Sequence, residues 1–146
     1  MEKLDSIIFY NIDKAIRTYR NYAQQQLKAN GFKITIDQWL TIKSILENPG
    51  ITQNEIGDLV FKDNASVTRI IDLLVKSEFI SRTAHAKDRR KTNLEVTDTG
   101  KKIIKEVQNL VENNRKTALE NISAAELEVM NSTLIKITQN CINSKK

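Results

Sequence analysis

The sequence predicts a mainly α-helical chain that carries a small two- or three-stranded β element in its second half. Three observations lead there. Glycine and proline number 4 and 1 among 146 residues, which favours helix and leaves little irregular chain. Apolar residues recur at steps of three and four along most of the length. Only Phe79–Thr83 and Thr92–Val96 alternate in the manner of strands.

In chain order, Leu4 to Leu27 reads as one long helix, with Leu4, Ile8, Ile12, Ile16, Tyr19, Ala23 and Leu27 on a single stripe. Asn30-Gly31 ends it with a pair suited to a left-handed turn. The stripe is long for so small a domain, and a terminal helix with that much apolar surface often packs on another subunit. Thr35-Ile-Asp-Gln38 and Thr52-Gln-Asn-Glu55 both match the capping box. The first opens a helix that buries Trp39, Leu40, Ile42, Ile45 and Leu46, stopped by Pro49-Gly50. The second opens a short helix with Ile56, Leu59 and Val60 on its apolar side. Lys62-Asp63-Asn64 is a turn, and Asp63 or Asn64 caps the next helix. In that helix Val67, Ile70, Ile71 and Leu74 must be buried, while Ser66, Thr68, Arg69 and Asp72 point away. Two short helices joined by a tight turn, the second with an exposed polar face, form a helix-turn-helix.

The two strand-like stretches follow directly, with Ile80, Leu94 and Val96 expected to face the core. Between them Ala84-His-Ala-Lys-Asp-Arg-Arg-Lys91 is polar and strongly basic. A basic hairpin after a helix-turn-helix is a wing, whose tip reaches a minor groove where negative potential favours arginine. Thr97 then caps a helix that buries Ile103, Ile104, Val107, Leu110, Val111 and Leu119. Ser123-Ala-Ala-Glu126 is a third capping box. It opens a last helix with Leu127, Met130, Leu134, Ile137 and Cys141 along a coiled-coil-like seam. The reading is a single domain, 1–146, in which a winged helix-turn-helix at 35–100 is flanked by helices at 1–30 and 101–146.

Charge points to the partner. The chain has a net charge of +5 and a pI of about 9.3. From Lys62 to Lys91 eight basic residues face four acidic ones, so most of the excess lies in the helix-turn-helix and wing. Such a cluster suits a polyanion. No apolar run approaches the roughly 18 residues of a membrane span, and the N-terminus lacks a signal-peptide pattern. A soluble, cytoplasmic protein with no membrane partner is expected. One cysteine, Cys141, excludes a disulfide framework or a Cys-based metal site within one chain. One histidine, one cysteine, scattered acids and no glycine-rich phosphate loop leave no catalytic constellation, metal site or cofactor cradle. The alternative to nucleic acid is a protein-interaction module with the helix-turn-helix as its docking surface, to which a strongly basic wing would contribute little.

Thr52-Gln-Asn-Glu-Ile-Gly-Asp-Leu-Val60, Ser66-Val-Thr-Arg-Ile-Ile-Asp-Leu-Leu74, Ile80-Ser-Arg82 and Asp88-Arg-Arg-Lys-Thr-Asn-Leu-Glu-Val-Thr-Asp-Thr-Gly100 together resemble the MarR family of winged-helix regulators. Asp88, Arg90, Leu94, Val96, Thr97 and Gly100 match the family's wing motif. The resemblance covers nearly the whole chain and implies a homodimer, interlocked through the first helix and the last two, that binds double-stranded DNA and commonly represses. It also implies a small aromatic or phenolic effector bound between the dimerisation and DNA-binding parts. Glu78 departs from the family, which places glycine there. Either Glu78 takes a positive φ, at a cost on the order of 1 kcal/mol, or the helix ends differently.

Roles follow for named residues. Ser66, Thr68 and Arg69 face the major groove, with Arg69 suited to bidentate contact with guanine. Asn64 and Ala65 start the helix, where the backbone comes closest to DNA. Thr52 and Gln53 suit phosphate contact at a helix N-terminus. Arg89 or Arg90 enters the minor groove, the other alternative for Arg90 being to shape the wing by pairing with Asp88 or another acid. Lys87 and Lys91 neutralise phosphates. Tyr10, Tyr19, Tyr22 and Trp39 lie in segments that would line an effector pocket, or are plain core. His85, at the base of the wing, reads as a surface residue. Cys141 lies in the last helix, whereas peroxide-sensing relatives carry their cysteine in the first.

Overall fold

Local capping signals set most element boundaries in the computed structural model, which describes residues 1–84, 87, 88 and 92–144. Helix α1 spans Ile8–Ala29, α2 Ile36–Glu47, α3 Gln53–Val60 and α4 Asn64–Lys76. Strands β1, Ile80–Ala84, and β2, Thr92–Val96, precede α5, Asp98–Ala118, and α6, Ala124–Asn143. The fold is mainly helical with one antiparallel hairpin, so the wing has two strands among the described residues. The chain divides into two compact units, Met1–Asn114 and Arg115–Lys146.

The first helix starts later than its apolar stripe. Leu4–Ser6 is a separate 3₁₀ turn, and Ile7 is extended. Ser6 Oγ donates to the Lys3 carbonyl at 2.7 Å, and the Asn11 amide donates to the Asp5 carbonyl at 3.0 Å. Polar side chains close that turn locally and interrupt the helix. At the other end Gly31 takes φ 79. The Phe32 N–H reaches the Leu27 carbonyl and the Gly31 N–H the Lys28 carbonyl, a Schellman motif.

Capping boxes at Thr35–Gln38 and Thr52–Glu55 start α2 and α3 as the spacing predicts. The core of the first unit is built from Ile42 and Ile45 of α2, Ile56 and Val60 of α3, Val67, Ile71 and Leu74 of α4, Ile80 and Leu94 of the hairpin, and Val107 of α5. Trp39, Leu40, Leu46 and Ile70 are half-buried against it. Leu59 is not buried as the stripe predicts but is 51% exposed. The buried arc of α3 runs through Ile56, Gly57 and Val60, and Leu59 lies about 100° round the helix from its middle. Gly57 draws the arc to its side, because a Cβ there would sit 2.8 Å from the Lys62 carbonyl oxygen.

Strand β1 begins one residue later than the alternation implies, because Phe79 is consumed in ending α4. The Phe79 N–H reaches the Leu74 carbonyl and the Glu78 N–H the Val75 carbonyl. Glu78 takes the left-handed position with φ 64, so the chain keeps the backbone that glycine would favour and seats a glutamate on it. The hairpin pairs Ile80 with Val96 and Arg82 with Leu94. The Thr97 N–H returns to the Phe79 carbonyl at 3.1 Å. The Thr97 hydroxyl donates to the Glu78 carbonyl at 2.5 Å and accepts the Gly100 N–H at 3.0 Å, so Thr97 is the N-cap of α5.

In the second unit the end of α5 turns through Asn121, φ 63, and the Ser123–Glu126 capping box opens α6. Leu127, Leu134 and Ile137 are half-buried, while Met130 and Cys141 of the same seam are exposed.

Candidate nucleic-acid interface

Helix α4 offers a polar face on a fixed mount. Val67, Ile71 and Leu74 anchor its inner side. Thr68, Arg69 and Asp72 are exposed on its outer side, Asn64 and Ala65 are exposed at its start, and Ser66 is half-buried. Asp63 is the N-cap, its carboxylate accepting the Ser66 N–H at 2.7 Å. That backbone hydrogen bond, seconded by the Ser66 hydroxyl and by the nearby Arg69 charge, holds the Asp63 carboxyl below its ordinary value of 3.8. Arg69 makes no ion pair among the described residues, so its guanidinium is available to an acceptor outside the chain.

The supporting helix is wired into the same face. Gln53 Nε2 donates to Thr68 Oγ1 at 2.6 Å, and Thr68 Oγ1 donates to the Asn64 carbonyl at 2.9 Å. The Thr68 hydroxyl hydrogen is thereby committed, leaving its methyl and one acceptor lone pair for a ligand. Thr52 is engaged in its own capping box: its hydroxyl accepts the Glu55 N–H, and Glu55 Oε1 accepts from both its hydroxyl and its N–H. The donors left at the start of α3 are the Gln53 and Asn54 amides, which have no partner among the described residues.

Arg82 and Asp72 join the hairpin to α4 with Nη2–Oδ1 at 2.5 Å. Nothing in the sequence pattern marks this pair. Thr52, Gln53, Asn54, Ile71, Arg82, Thr92 and Leu94 line an open cavity of about 340 Å³ between α3, α4 and the hairpin. The turn of the helix-turn-helix is tied back as well. Lys62 Nζ lies 3.4 Å from Asp37 Oδ2, and Arg20 Nη1 of α1 lies 3.4 Å from Asp37 Oδ1. Lys62 therefore counts less toward the polyanion surface than the basic cluster suggests.

Lys87 is exposed at the hairpin and Asp88 is half-buried. Arg89, Arg90, Lys91 and His85 lie outside the described residues. The aromatic set is spread out. Tyr10 is exposed, and Tyr19 and Tyr22 are half-buried on α1. The helix rise puts Tyr10 about 18 Å from Tyr22. Trp39 is half-buried on α2, with its Nε1 buried and without a hydrogen-bond partner among the described residues. Lys43 Nζ stands 5.9 Å from the centre of its ring. None of the four lines the cavity beside α3. Among the described residues no group of acids, histidines or cysteines could hold a metal ion, and no helix is long and apolar enough to cross a membrane.

Solved structures share this architecture. A MarR protein from Peptoclostridium difficile is 24% identical, with 99% of this chain and 93% of that one covered and a TM-score of 0.83. BpsR of Bordetella bronchiseptica, whose DNA binding is regulated by 6-hydroxynicotinic acid, is 17% identical over 94% of this chain and 97% of its own, with a TM-score of 0.84. MepR of S. aureus, solved in complex with DNA, is 23% identical over 92% of this chain and 98% of its own, with a TM-score of 0.80. These likenesses establish the fold. The MarR family model itself matches residues 34–92, from the end of the α1–α2 connection to the start of β2. Over residues 34–92 the chain thus matches the MarR family, and its winged-helix fold is the one that solved MarR-type regulators share.

Proposed function

We propose that this chain is a sequence-specific transcriptional repressor that binds a pseudo-palindromic operator as a homodimer. One observation carries the reading: α4 is capped, anchored on buried Val67, Ile71 and Leu74, and presents Arg69 unpaired among the described residues beside Asn64, Ala65, Ser66 and Thr68. That is a recognition helix mounted for a major groove. Arg69 reads guanine, and the Thr68 methyl suits the thymine methyl. The Gln53 and Asn54 amides, with Thr52 and Gln53 placing them, hold a phosphate at the start of α3. Arg89 or Arg90 enters the minor groove, while Lys87 and Lys91 neutralise backbone charge. MepR, of the same fold, is solved on DNA, which supports the reading.

Residues 1–30 and 101–146 serve dimerisation in this proposal, and 35–100 serve DNA. Leu4, Ile8, Phe9 and Ile16 near the N-terminus are exposed, as are Val129, Met130, Ile135 and Ile142 on α6. Apolar surface of that kind favours a second copy. A cytoplasmic, non-enzymatic regulator follows from the same reading.

The effector is a small aromatic or phenolic acid. Trp39 Nε1 supports this: a buried indole N–H with no partner among the described residues is a donor that an acidic ligand satisfies. Tyr19 and Tyr22 supply aromatic surface on α1. The relative regulated by 6-hydroxynicotinic acid points to the same ligand class.

A gel-shift series on the region upstream of the protein's own gene tests these statements together. Affinity should fall steeply with salt, and aromatic acids should release the DNA. Binding that ignores salt overturns phosphate neutralisation. Binding to no duplex at low salt overturns the reading as a whole.

A further inference from the structure

Resting on the DNA-binding reading, we infer that Asp72 and Arg82 form the positioning element that sets the hairpin against the recognition helix, and that the Asp72 acid therefore sharpens operator recognition. By charge alone the reverse would be expected. Asp72 follows Arg69 by three residues and Thr68 by four on the exposed side of α4, so it shares their face. A bare carboxylate there repels phosphate.

The carboxylate is not bare. Arg82 Nη2 sits 2.5 Å from its Oδ1. Arg82 stands opposite Leu94 in the hairpin register and, two residues from Ile80, shares the core-facing side of β1. Ile80 and Leu94 on that side are buried, and Arg82 extends the side beyond the core to reach α4. Its guanidinium is thereby directed at α4 and committed to an acid.

Beyond the packing of Ile80 and Leu94 in the core, two polar restraints among the described residues hold the hairpin against α4. One is its base, where Glu78, Phe79 and Thr97 are joined by backbone and hydroxyl hydrogen bonds. The other is the ion pair, about 10 Å further along the strand. A single anchored base leaves the hairpin free to pivot, whereas a second attachment point fixes its angle. Arg82 and Asp72 side chains are 41% and 57% exposed, and pairs this exposed add little to stability. Their contribution lies in orientation.

The test is a double-mutant cycle of Asp72→Asn, Arg82→Gln and the pair. It is read as the ratio of affinities for two duplexes: one enriched by the wild type from a random-sequence pool, and one of unselected random sequence. General electrostatics act on both duplexes and cancel in the ratio. Each single variant should lower the ratio about two- to fivefold, and the double variant should be no worse than Arg82→Gln. The salt slope of Arg82→Gln should match the wild type, and the melting temperatures of all variants should stay close to it. A ratio unchanged or raised in Asp72→Asn, additive effects in the cycle, or a slope reduced by about 0.9 in Arg82→Gln overturns the inference and makes Arg82 an ordinary phosphate contact. If the wild type binds neither duplex at low salt, it is the DNA-binding reading that has failed.

Discussion

Gly100 lies so close to the carbonyl oxygen of Phe79 that a Cβ at position 100 would clash with it. The same Cβ would come within 2.7 Å of Val96 Cγ1. The first turn of α5 and the end of the α4–β1 connection thus touch through bare backbone. Gly100→Ala must push them apart, and with them the Thr97 N–H bond to Phe79. Overpacking of this kind costs about 1–3 kcal/mol, which urea denaturation will read. A midpoint equal to the wild type would show that α5 can slide without cost.

Glu78→Gly acts in the opposite direction. Glu78 holds φ 64, where a side chain costs on the order of 1 kcal/mol that glycine avoids. The variant should be more stable by roughly that amount, with operator affinity close to the wild type, because the Phe79 and Glu78 N–H bonds to the Leu74 and Val75 carbonyls need only the backbone. Isothermal denaturation together with a binding titration checks both. A destabilised variant would mean that the glutamate side chain contributes more than the strain removes.

Asp63 makes stability depend on pH. Its carboxyl is held below 3.8 in the fold by the Ser66 N–H. The stabilisation from its ionised form is therefore fully present above pH 3.8 and is lost as pH falls through the lower folded value. Asp63→Asn keeps an N-cap acceptor without the titration. The gap in melting temperature between wild type and this variant should narrow or reverse on acidifying below pH 3.8. Asp63→Ala should melt a few degrees lower than the wild type at neutral pH. A gap that does not change between neutral and acid pH would remove Asp63 as the source of that dependence.

Arg69→Ala should cost about 1–3 kcal/mol of operator binding and relax preference at one base pair per half-site. Selection of duplexes by wild type and variant reads the second effect directly. If both proteins enrich the same sequence with equal affinity, Arg69 has no part in base reading.

The elements that were legible in the sequence are those specified by neighbours along the chain. Thr35 with Gln38, Thr52 with Glu55, and Ser123 with Glu126 each pair across three residues, so spacing alone reveals them. Gly31 ends α1 for the same local reason. The features that were not legible depend on what the fold brings together. Asp72 meets Arg82 only after the hairpin register is set, and a shift of one residue would turn Arg82 to the other face. Gln53 and Thr68 are separated by a complete turn and helix start, yet share one hydrogen bond. Leu59 matched the apolar stripe of α3, but the carbonyl of Lys62 drew the buried arc toward Gly57. A glycine inside an eight-residue helix was the available signal, since helix interiors disfavour it without a packing reason. Glu78 was visible as a departure in identity, but its backbone angle was not.

The junction of Glu78, Phe79, Thr97 and Gly100 also limits how the length of this chain can vary. Two carbonyls, two amides and one hydroxyl meet there from segments nineteen residues apart, counted from Glu78 to Thr97. One residue inserted between Val96 and Thr97 would carry the Thr97 hydroxyl off the Glu78 carbonyl, and one inserted anywhere from Val96 to Gly100 would slide Gly100 away from the Phe79 carbonyl. One inserted between Ser77 and Ile80 would turn Arg82 outward and Ile80 off the core. Descendants of this sequence can change side chains widely around the junction, but a deletion or insertion inside it removes α4, the hairpin and α5 from register in a single step.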